Sequence, residues 1–491
     1  MGSSTDIAAK MNAADMREAA VRRDSMLILC GIAVLGTFLR LHALGAKSFW
    51  LDEIASVVLA RSPREWFWRW LWTQEGNMAL YYVMLRPWVQ IHLGEATVRL
   101  LSVLPGIASL PMMYLLGKRL FSRSVGLLAS LFLAINTCAV VYSQEARSYS
   151  WLVLGVIVST YLFVRLIARP SYAIAGAYAL AAGVTFYFHY FGLLVPLAHA
   201  VSLVALPKTR RPWQQLWIAA LIIVVLAALV LWMVHMQPLR HLDWVPKPSL
   251  LEIYHLGVFL AAESGKGVGS ALLAIELLLL GAFFRRMMPQ PGKKRSSGEI
   301  WPYTLVASGL LTPIVTSLLA SIWHPVFFHR FLIICLPAWL LAIAAGVCTL
   351  RQRPLRFFAA AGIIVLSLVS TAVSYSRVRE DWRGAVNFLI DNARAQDIVV
   401  YYQGVGDWAA ENYRDWLPGG SANRPAAVEI TSQSNSWQAK ITGAPRVWLV
   451  EYPANVSDDT SRAVEAELHS RYTVAGSHGF RAIAITEFVT N

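Results

Sequence analysis

The chain has 491 residues, 56% of them hydrophobic and only 15% charged, with a mean hydropathy of +0.50; this is too apolar for an ordinary soluble protein and predicts a polytopic membrane protein. The net charge of +14 does not call for a nucleic-acid partner, because residues up to Ser374 carry 32 basic and 15 acidic groups while the remaining tail carries 11 and 14. The basic excess belongs to the membrane part, where topology accounts for it. Cys30, Cys138, Cys335 and Cys348 all fall in apolar runs and offer neither a disulfide framework nor metal-ligand spacing.

Residues 1–25 form a polar cytoplasmic segment ending in Arg22-Arg23-Asp24, followed by an apolar run from Met26 to about Ala46. The paired arginines have the look of a twin-arginine export signal, but the run is long enough to span and no small-residue cleavage site follows it. An uncleaved anchor with its N-terminus inside is therefore expected. Further runs lie near Leu100 to Gly117, Val125 to Tyr142, Trp151 to Ile167, Tyr172 to Phe188, Phe191 to Leu206, Leu216 to His235, Ser270 to Phe284, Tyr303 to Ile322, Phe331 to Leu350 and Phe357 to Tyr375, making eleven candidate spans in a membrane domain of residues 26–375. Several approach the lower limit of roughly 17 residues for crossing about 30 Å of hydrocarbon. With this count the inner segments hold twenty basic residues, among them Lys118, Arg119, Arg285, Arg286, Lys293, Lys294 and Arg295. The short outer connections hold five: Arg147, Arg240, Lys247, Lys266 and Arg330. This asymmetry predicts an N-in, C-out topology.

The first outer loop, residues 47–99, is longer than a connector needs. It opens with Ser48-Phe49-Trp50-Leu51-Asp52-Glu53, two adjacent carboxylates at a bilayer surface, costly there unless paired, solvated or used in chemistry. Pro63 to Trp72 places Trp66 and Trp70 on one helical face, and Tyr81 to Leu85 with Arg86-Pro87-Trp88 forms a second such element; both have the composition of helices lying in the interface. After Tyr375 the pattern changes to a small extracytoplasmic α/β domain, residues 376–491. Helices are expected at Asp381 to Arg394, Asp407 to Trp416 and Asp458 to Ser470. Strands are expected at Asp397 to Tyr402, Ala427 to Ile430, Arg446 to Tyr452, Tyr472 to Ala475 and Ala482 to Phe488. No glycine-rich phosphate loop follows any of these strands.

Acidic residues of the membrane part, including Glu65, Glu75, Glu95, Glu145, Asp243, Glu252 and Glu263, fall on the predicted outer side with Asp52 and Glu53. Glu276 alone sits within a span, where it either packs against another helix or relays protons. The short outer connections add Tyr142-Ser143-Gln144-Glu145-Ala146-Arg147-Ser148-Tyr149, Phe188-His189-Tyr190-Phe191 and His324-Pro325-Val326-Phe327-Phe328-His329-Arg330-Phe331. A base, cations and aromatic surfaces at one membrane level suit a substrate with a lipid tail and an interfacial phosphate, which arginine forks bind and stabilise as a leaving group. Two other readings stand beside this one: a transporter or lipid flippase with an outer domain, for which Glu276 is the main support, and a scaffold or sensor working through its tail domain.

Trp50-Leu51-Asp52-Glu53 after the first span, Leu80-Tyr81-Tyr82 later in that loop, Gln144-Glu145-Ala146-Arg147-Ser148-Tyr149 after the third span and His329-Arg330-Phe331 before a late span together resemble the protein O-mannosyltransferase and aminoarabinose transferase group of the membrane-embedded glycosyltransferase C superfamily. The resemblance runs from the first span to Asp381-Trp382-Arg383-Gly384. One departure is Met78-Ala79, where related bacterial proteins usually carry Pro-Pro. The resemblance implies inverting transfer of one sugar from a polyprenyl-phosphate donor to a glycolipid, glycan or protein acceptor on the outer face of a bacterial cytoplasmic (inner) membrane. It implies Asp52 as general base with Glu53 supporting it, and Arg147 and Arg330 on the donor phosphate. Tyr81, Tyr82, Glu75, Asn77, Glu145, Tyr149, His189, Tyr190, His324 and His329 would line the substrate. No cofactor is expected; a divalent ion at Asp52, Glu53 and a histidine is the one metal site the residues would allow.

Overall fold

The computed structural model describes residues 2–91, 94–237, 244–263, 267–288, 297–402, 406–417, 420, 425–430, 437–452 and 459–490. In chain order its helices are α1 (Gly2–Leu41), α2 (Leu51–Arg61), α3 (Arg64–Thr73), α4 (Ala79–Trp88), α5 (Glu95–Leu120), α6 (Arg123–Ile135), α7 (Thr137–Ser143), α8 (Tyr149–Ala168), α9 (Tyr172–Phe188), α10 (Leu194–Ser202), α11 (Trp213–Met236), α12 (Leu250–Ala262), α13 (Val268–Arg285), α14 (Ser297–Ala320), α15 (Leu336–Thr349), α16 (Arg353–Tyr375), α17 (Trp382–Asn392), α18 (Gly406–Arg414), α19 (Trp437–Ile441) and α20 (Asp459–Arg471). The strands are β1 (Ile398–Tyr402), β2 (Ala426–Ile430), β3 (Arg446–Glu451), β4 (Tyr472–Phe480) and β5 (Ile483–Thr490).

Among the described residues eight helices are long and apolar enough to cross a membrane: Glu18–Leu41 of α1, α5, α8, α11, α13, Gly298–Ala320 of α14, Phe331–Thr349 ending in α15, and α16. A ninth span arises if α6 and α7, bent by 56° at a short break, count together. The other two of the eleven predicted runs are helical but short, Tyr172–Phe188 and Tyr190–Ala205. Seventeen residues at 1.5 Å each measure about 25 Å, less than a full hydrocarbon thickness. The helix α12, in a segment read as an outer connection, was not anticipated. Helix α11 leaves Trp217, Leu221, Val224 and Val225 exposed, a surface soluble in hydrocarbon rather than in water. Helix α15 is the most enclosed, with 89% of its span buried. Its small residues allow this: a Cβ at Gly346 would run into the backbone carbonyl of Leu279 on α13.

The break between α6 and α7 falls at Asn136, whose extended backbone (φ −61°, ψ 124°) stops the helix. The carbonyls freed at the end of α6 find partners. The Asn136 amide oxygen accepts from the Ala139 N–H at 2.9 Å and so caps α7, while its Nδ2 donates to the carbonyls of Leu260 and Ala261 at 2.9 and 3.1 Å. The carbonyls of Leu133 and Ala134 accept from the Arg40 guanidinium at 3.0 Å each, and that of Ile135 from Thr371 at 3.1 Å. This is the accounting that buried backbone requires.

Two compact units result. One comprises Met1–His42, Trp68–Tyr81 and Arg99–Ser374; the other comprises Ala43–Phe67, Tyr82–Val98 and Tyr375–Asn491. In the second unit five strands form one sheet in the order β2-β1-β3-β5-β4, with β1 parallel to β2 and β3, and β5 antiparallel to β3 and β4. The alternation of β3 and β5 buries Val447, Leu449 and Phe488 on one face, where Val464 and Leu468 of α20 and Trp437 and Ile441 of α19 complete a core. Every element predicted after Tyr375 is present, apart from Asp458, which lies outside the described residues; the short α19 was not predicted.

Candidate active site

In the unit that holds the sheet, the acidic pair sits at the start of α2. Trp50 is the N-cap residue, extended at φ −97° and ψ 170°, and its side chain offers no acceptor to the helix. Glu53 supplies half of a capping box instead, its carboxylate accepting from the Trp50 N–H at 3.4 Å. Glu53 is completely buried whereas Asp52 is half-buried. Both lie in the first turn, where the helix dipole favours anions.

The donor left at the first helical position, the Leu51 N–H, is met by Glu380 at 2.8 Å. Glu380 also accepts from the Trp382 indole at 2.7 Å and the Tyr452 hydroxyl at 2.8 Å. Burial raises the Glu380 carboxyl above the ordinary range, the three donors work against that, and the nearby Asp52 adds to the rise. On either side of Glu380, the Arg379 guanidinium lies 4.5 Å over the Trp50 ring and Arg383 donates to the carbonyls of Gly45 and Ala46 at 3.3 and 2.6 Å. The Arg383 N–H meets Ser48 Oγ at 3.1 Å and its guanidinium meets Glu95 at 3.0 Å.

In the helical unit, the turn after α7 is fixed from several sides. Gln144 donates to the carbonyls of Arg40 and His42 at 3.0 and 2.8 Å, closing the end of α1. The Arg147 carbonyl accepts from Ser102 at 2.8 Å, Ser102 pairs with the Tyr81 hydroxyl at 3.1 Å, and Ser148 donates to the Phe188 carbonyl at 2.6 Å. Asn77 bridges to the His189 turn: its Oδ1 accepts from the Tyr190 N–H at 3.0 Å and its amide lies 3.2 Å from His189 Nε2. The Tyr190 hydroxyl donates to Gln237 at 3.2 Å, and Glu75 lies close enough to raise the Tyr190 phenol further after burial has done so. His189 is pushed down to about 3, by burial first and then by the Arg147 charge.

The 324–331 turn meets this group through rings. Phe331 lies 5.3 Å from His189 and 5.4 Å from Phe191; His329 packs between Phe328 and Phe259, at 4.2 and 5.0 Å; and Arg330 lies 5.6 Å over the Phe328 ring. Arg147, His189, Tyr190, Asn77, Tyr149 and the Arg330 turn are thus gathered in one unit. Arg147 and Glu145 are buried, while Arg330, His324, Glu75 and Asn77 are half-buried. Tyr81, Tyr149 and His189 are packed inside this unit, and Tyr82 is equally buried in the unit of the acidic pair. Among the described residues no group of three or more His, Cys, Asp or Glu side chains could hold a metal ion. Glu276 accepts from the Trp339 indole at 2.7 Å. Arg240, Asp243, Lys266, Lys293, Lys294 and Arg295 lie outside the described residues. Sequence reasoning missed Glu380, Tyr452 and Arg40; for Glu380 the available signal was a helix that opens on Trp50 with no capping residue.

Residues 81–235 match the family model described as dolichyl-phosphate-mannose-protein mannosyltransferase. That stretch holds the Glu145, Arg147 and His189 turns but neither the acidic pair nor Arg330. No curated protein matches the sequence. The fold is similar to that of ArnT from Cupriavidus metallidurans in the apo state, with a TM-score of 0.60, 12% identity and coverage of 95% of this chain and 98% of that one. The same enzyme bound to undecaprenyl phosphate gives 0.57, 12% identity and coverage of 94% and 97%. AglB, the oligosaccharyltransferase of Archaeoglobus fulgidus, in complex with an inhibitory peptide and a dolichol-phosphate, gives 0.52, 10% identity and coverage of 87% and 69%. Residues 81–235 thus resemble the protein mannosyltransferase family model, and the architecture as a whole is ArnT-like.

Proposed function

We propose that the protein is an inverting glycosyltransferase that moves a single hexose or pentose from a polyprenyl-phosphate donor to an acceptor hydroxyl of a cell-envelope glycolipid, polysaccharide or protein, on the outer face of the bacterial cytoplasmic membrane. The observation that carries the reading is the split within the acidic pair: Asp52 is half-buried at the positive end of α2, and Glu53 is buried beside it with its carboxylate on the Trp50 N–H. The lipids in the similar structures, undecaprenyl phosphate in ArnT and a dolichol-phosphate in AglB, support a polyprenyl-phosphate donor.

The acceptor oxygen attacks the anomeric carbon on the face opposite the phosphate. The new carbon–oxygen bond forms as the bond to phosphate breaks, the electron pair leaves on the lipid phosphate, and the acceptor proton passes to Asp52. A carboxylate serves here because it has only to take the proton as the bond forms. Glu53 orients the turn that carries Asp52. Arg147 and Arg330 hold the phosphate and neutralise the charge that grows on it, so this route requires no cofactor. Glu75, Asn77, Tyr81, Tyr82, Glu145, Tyr149, His189, Tyr190, His324 and His329 shape the surroundings of the sugar and lipid phosphate.

The test is Asp52→Asn in purified protein, assayed separately with undecaprenyl-phosphate-linked mannose, glucose and aminoarabinose, following label into envelope glycolipid, glycan and protein fractions. The wild type transfers label from one of the donors, and the variant loses at least about 100-fold while remaining folded. Full activity in the variant sinks the mechanism, and no transfer by the wild type from any of the three donors sinks the function.

A further inference from the structure

We infer that Glu380 is a positioning residue for Asp52, so that the C-terminal domain takes part in sugar transfer by fixing the helix end that presents the base. This rests on the function proposed above. Helix α2 needs an acceptor at its N-terminus that its own N-cap residue, Trp50, does not carry. Glu380, 329 positions away in sequence, supplies one to the Leu51 N–H. Its carboxylate is only 7% exposed and is aimed by two further donors, the Trp382 indole and the Tyr452 hydroxyl. Tyr452 follows β3, so the carboxylate ties the α2 turn to the sheet. The neighbours of Glu380 grip the same stretch: Arg379 stacks on Trp50, and Arg383 holds Gly45, Ala46 and Ser48. A fastening that served stability alone would be effective anywhere along α2. Here the contacts made by residues 379–383 converge on the residues just before Asp52, and the Glu380 bond falls on the adjacent residue.

The experiment uses the full-length protein in detergent with whichever undecaprenyl-phosphate sugar and envelope fraction support transfer by the wild type. Glu380→Ala lowers kcat about 10- to 100-fold with donor KM little changed, because misplacing a reacting group by about 1 Å costs up to that much. Glu380→Gln, whose amide oxygen still accepts from Leu51, recovers most of the loss. Leu51→Pro removes the donor instead: proline suits the first helical position and the extended Trp50 before it, so α2 survives while the bond to Glu380 does not. It too loses kcat and not donor affinity. Wild-type kcat in both Glu380→Ala and Leu51→Pro overturns the inference, as does a Glu380→Gln variant no better than Glu380→Ala, or a loss confined to donor KM. If Glu380→Ala does not fold, Leu51→Pro and Glu380→Gln decide the question. A wild type inactive with every donor overturns the parent reading instead, whereas an inactive Asp52→Asn beside a fully active Glu380→Ala and Leu51→Pro overturns only this one.

Discussion

Replacing Arg40 by methionine probes how the helical unit holds its broken span. Arg40 is 1% exposed, and its guanidinium donates to the carbonyls of Leu133 and Ala134 at 3.0 Å each. Both acceptors belong to the last turn of α6, so the side chain is also a cation at the negative end of a helix dipole. Methionine replaces much of the stem and donates nothing. A buried acceptor deprived of its donor costs about 1–3 kcal/mol, whereas interhelical hydrogen bonds inside membranes average about 0.6 kcal/mol. Two acceptors bracket the loss between about 1 and 6 kcal/mol. The cavity beside Arg40, about 10 Å³ and lined in part by Ser109, Ser143 and Ser150, is at the threshold for one water, and the shorter polar reach of methionine lets a water in. We therefore expect a loss of roughly 2–3 kcal/mol, or roughly 30- to 150-fold in the equilibrium for local opening. Cys138 reports it, being fully buried in the first turn of α7, next to the break. With Cys30, Cys335 and Cys348 replaced in both proteins, maleimide labelling of Cys138 under native conditions rises by that factor in Arg40→Met. A rise of less than about threefold, equivalent to under 0.7 kcal/mol, would refute the account of the clasp.

Glu276→Gln retains an acceptor for the Trp339 indole and should leave the transfer rate near that of the wild type; a loss of about 100-fold, the scale of a missing proton-transfer group, would restore a relay role and the transporter reading with it. His189 gives a pH signature. With its folded value depressed to about 3, against about 6.5 in the unfolded chain, the unfolded state binds the extra proton at mildly acid pH. The contribution is fully present above pH 6.5 and is lost as pH falls toward 3, reaching about 2 kcal/mol lost at pH 5. The apparent melting temperature of the wild type should thus fall more between pH 7 and pH 5 than that of His189→Gln, and parallel curves for the two proteins would contradict it.

Hydropathy made the long helices and the C-terminal α/β domain legible, because full spans and alternating strands bury apolar groups at fixed periods. The break at Asn136 was not legible. One polar residue in the run from Val125 to Tyr142 barely changes an average, and what makes it a break is a set of partners, Arg40, Thr371 and the end of α12, that are distant in sequence. Helix α12 escaped because thirteen residues, about 20 Å, are too few to read as a span. The acidic pair and the arginine turns stood out as ionisable groups at the ends of apolar runs. Glu380 did not, since one glutamate in a polar segment is unremarkable until the uncapped start of α2 is set beside it.

The two members of the acidic pair stand in different surroundings on α2. With 3.6 residues per turn, consecutive side chains leave the axis about 100° apart, so two neighbours on a helix with one face against a core can meet different surroundings. In α2 the buried neighbour is Glu53, on the same buried side as Ile54 and Val57, all with no exposure. Asp52 shares the half-buried side with Ala55. Burying Glu53 requires hydrogen-bond partners for its carboxylate, one of which is the Trp50 N–H, and a carboxylate so occupied holds the turn. The division of labour proposed for Trp50-Leu51-Asp52-Glu53 rests on this difference in surroundings between two chemically similar side chains. While Glu53 turns back onto the Trp50 N–H, the acceptor of the next N–H, that of Leu51, is a third carboxylate from outside the motif, Glu380.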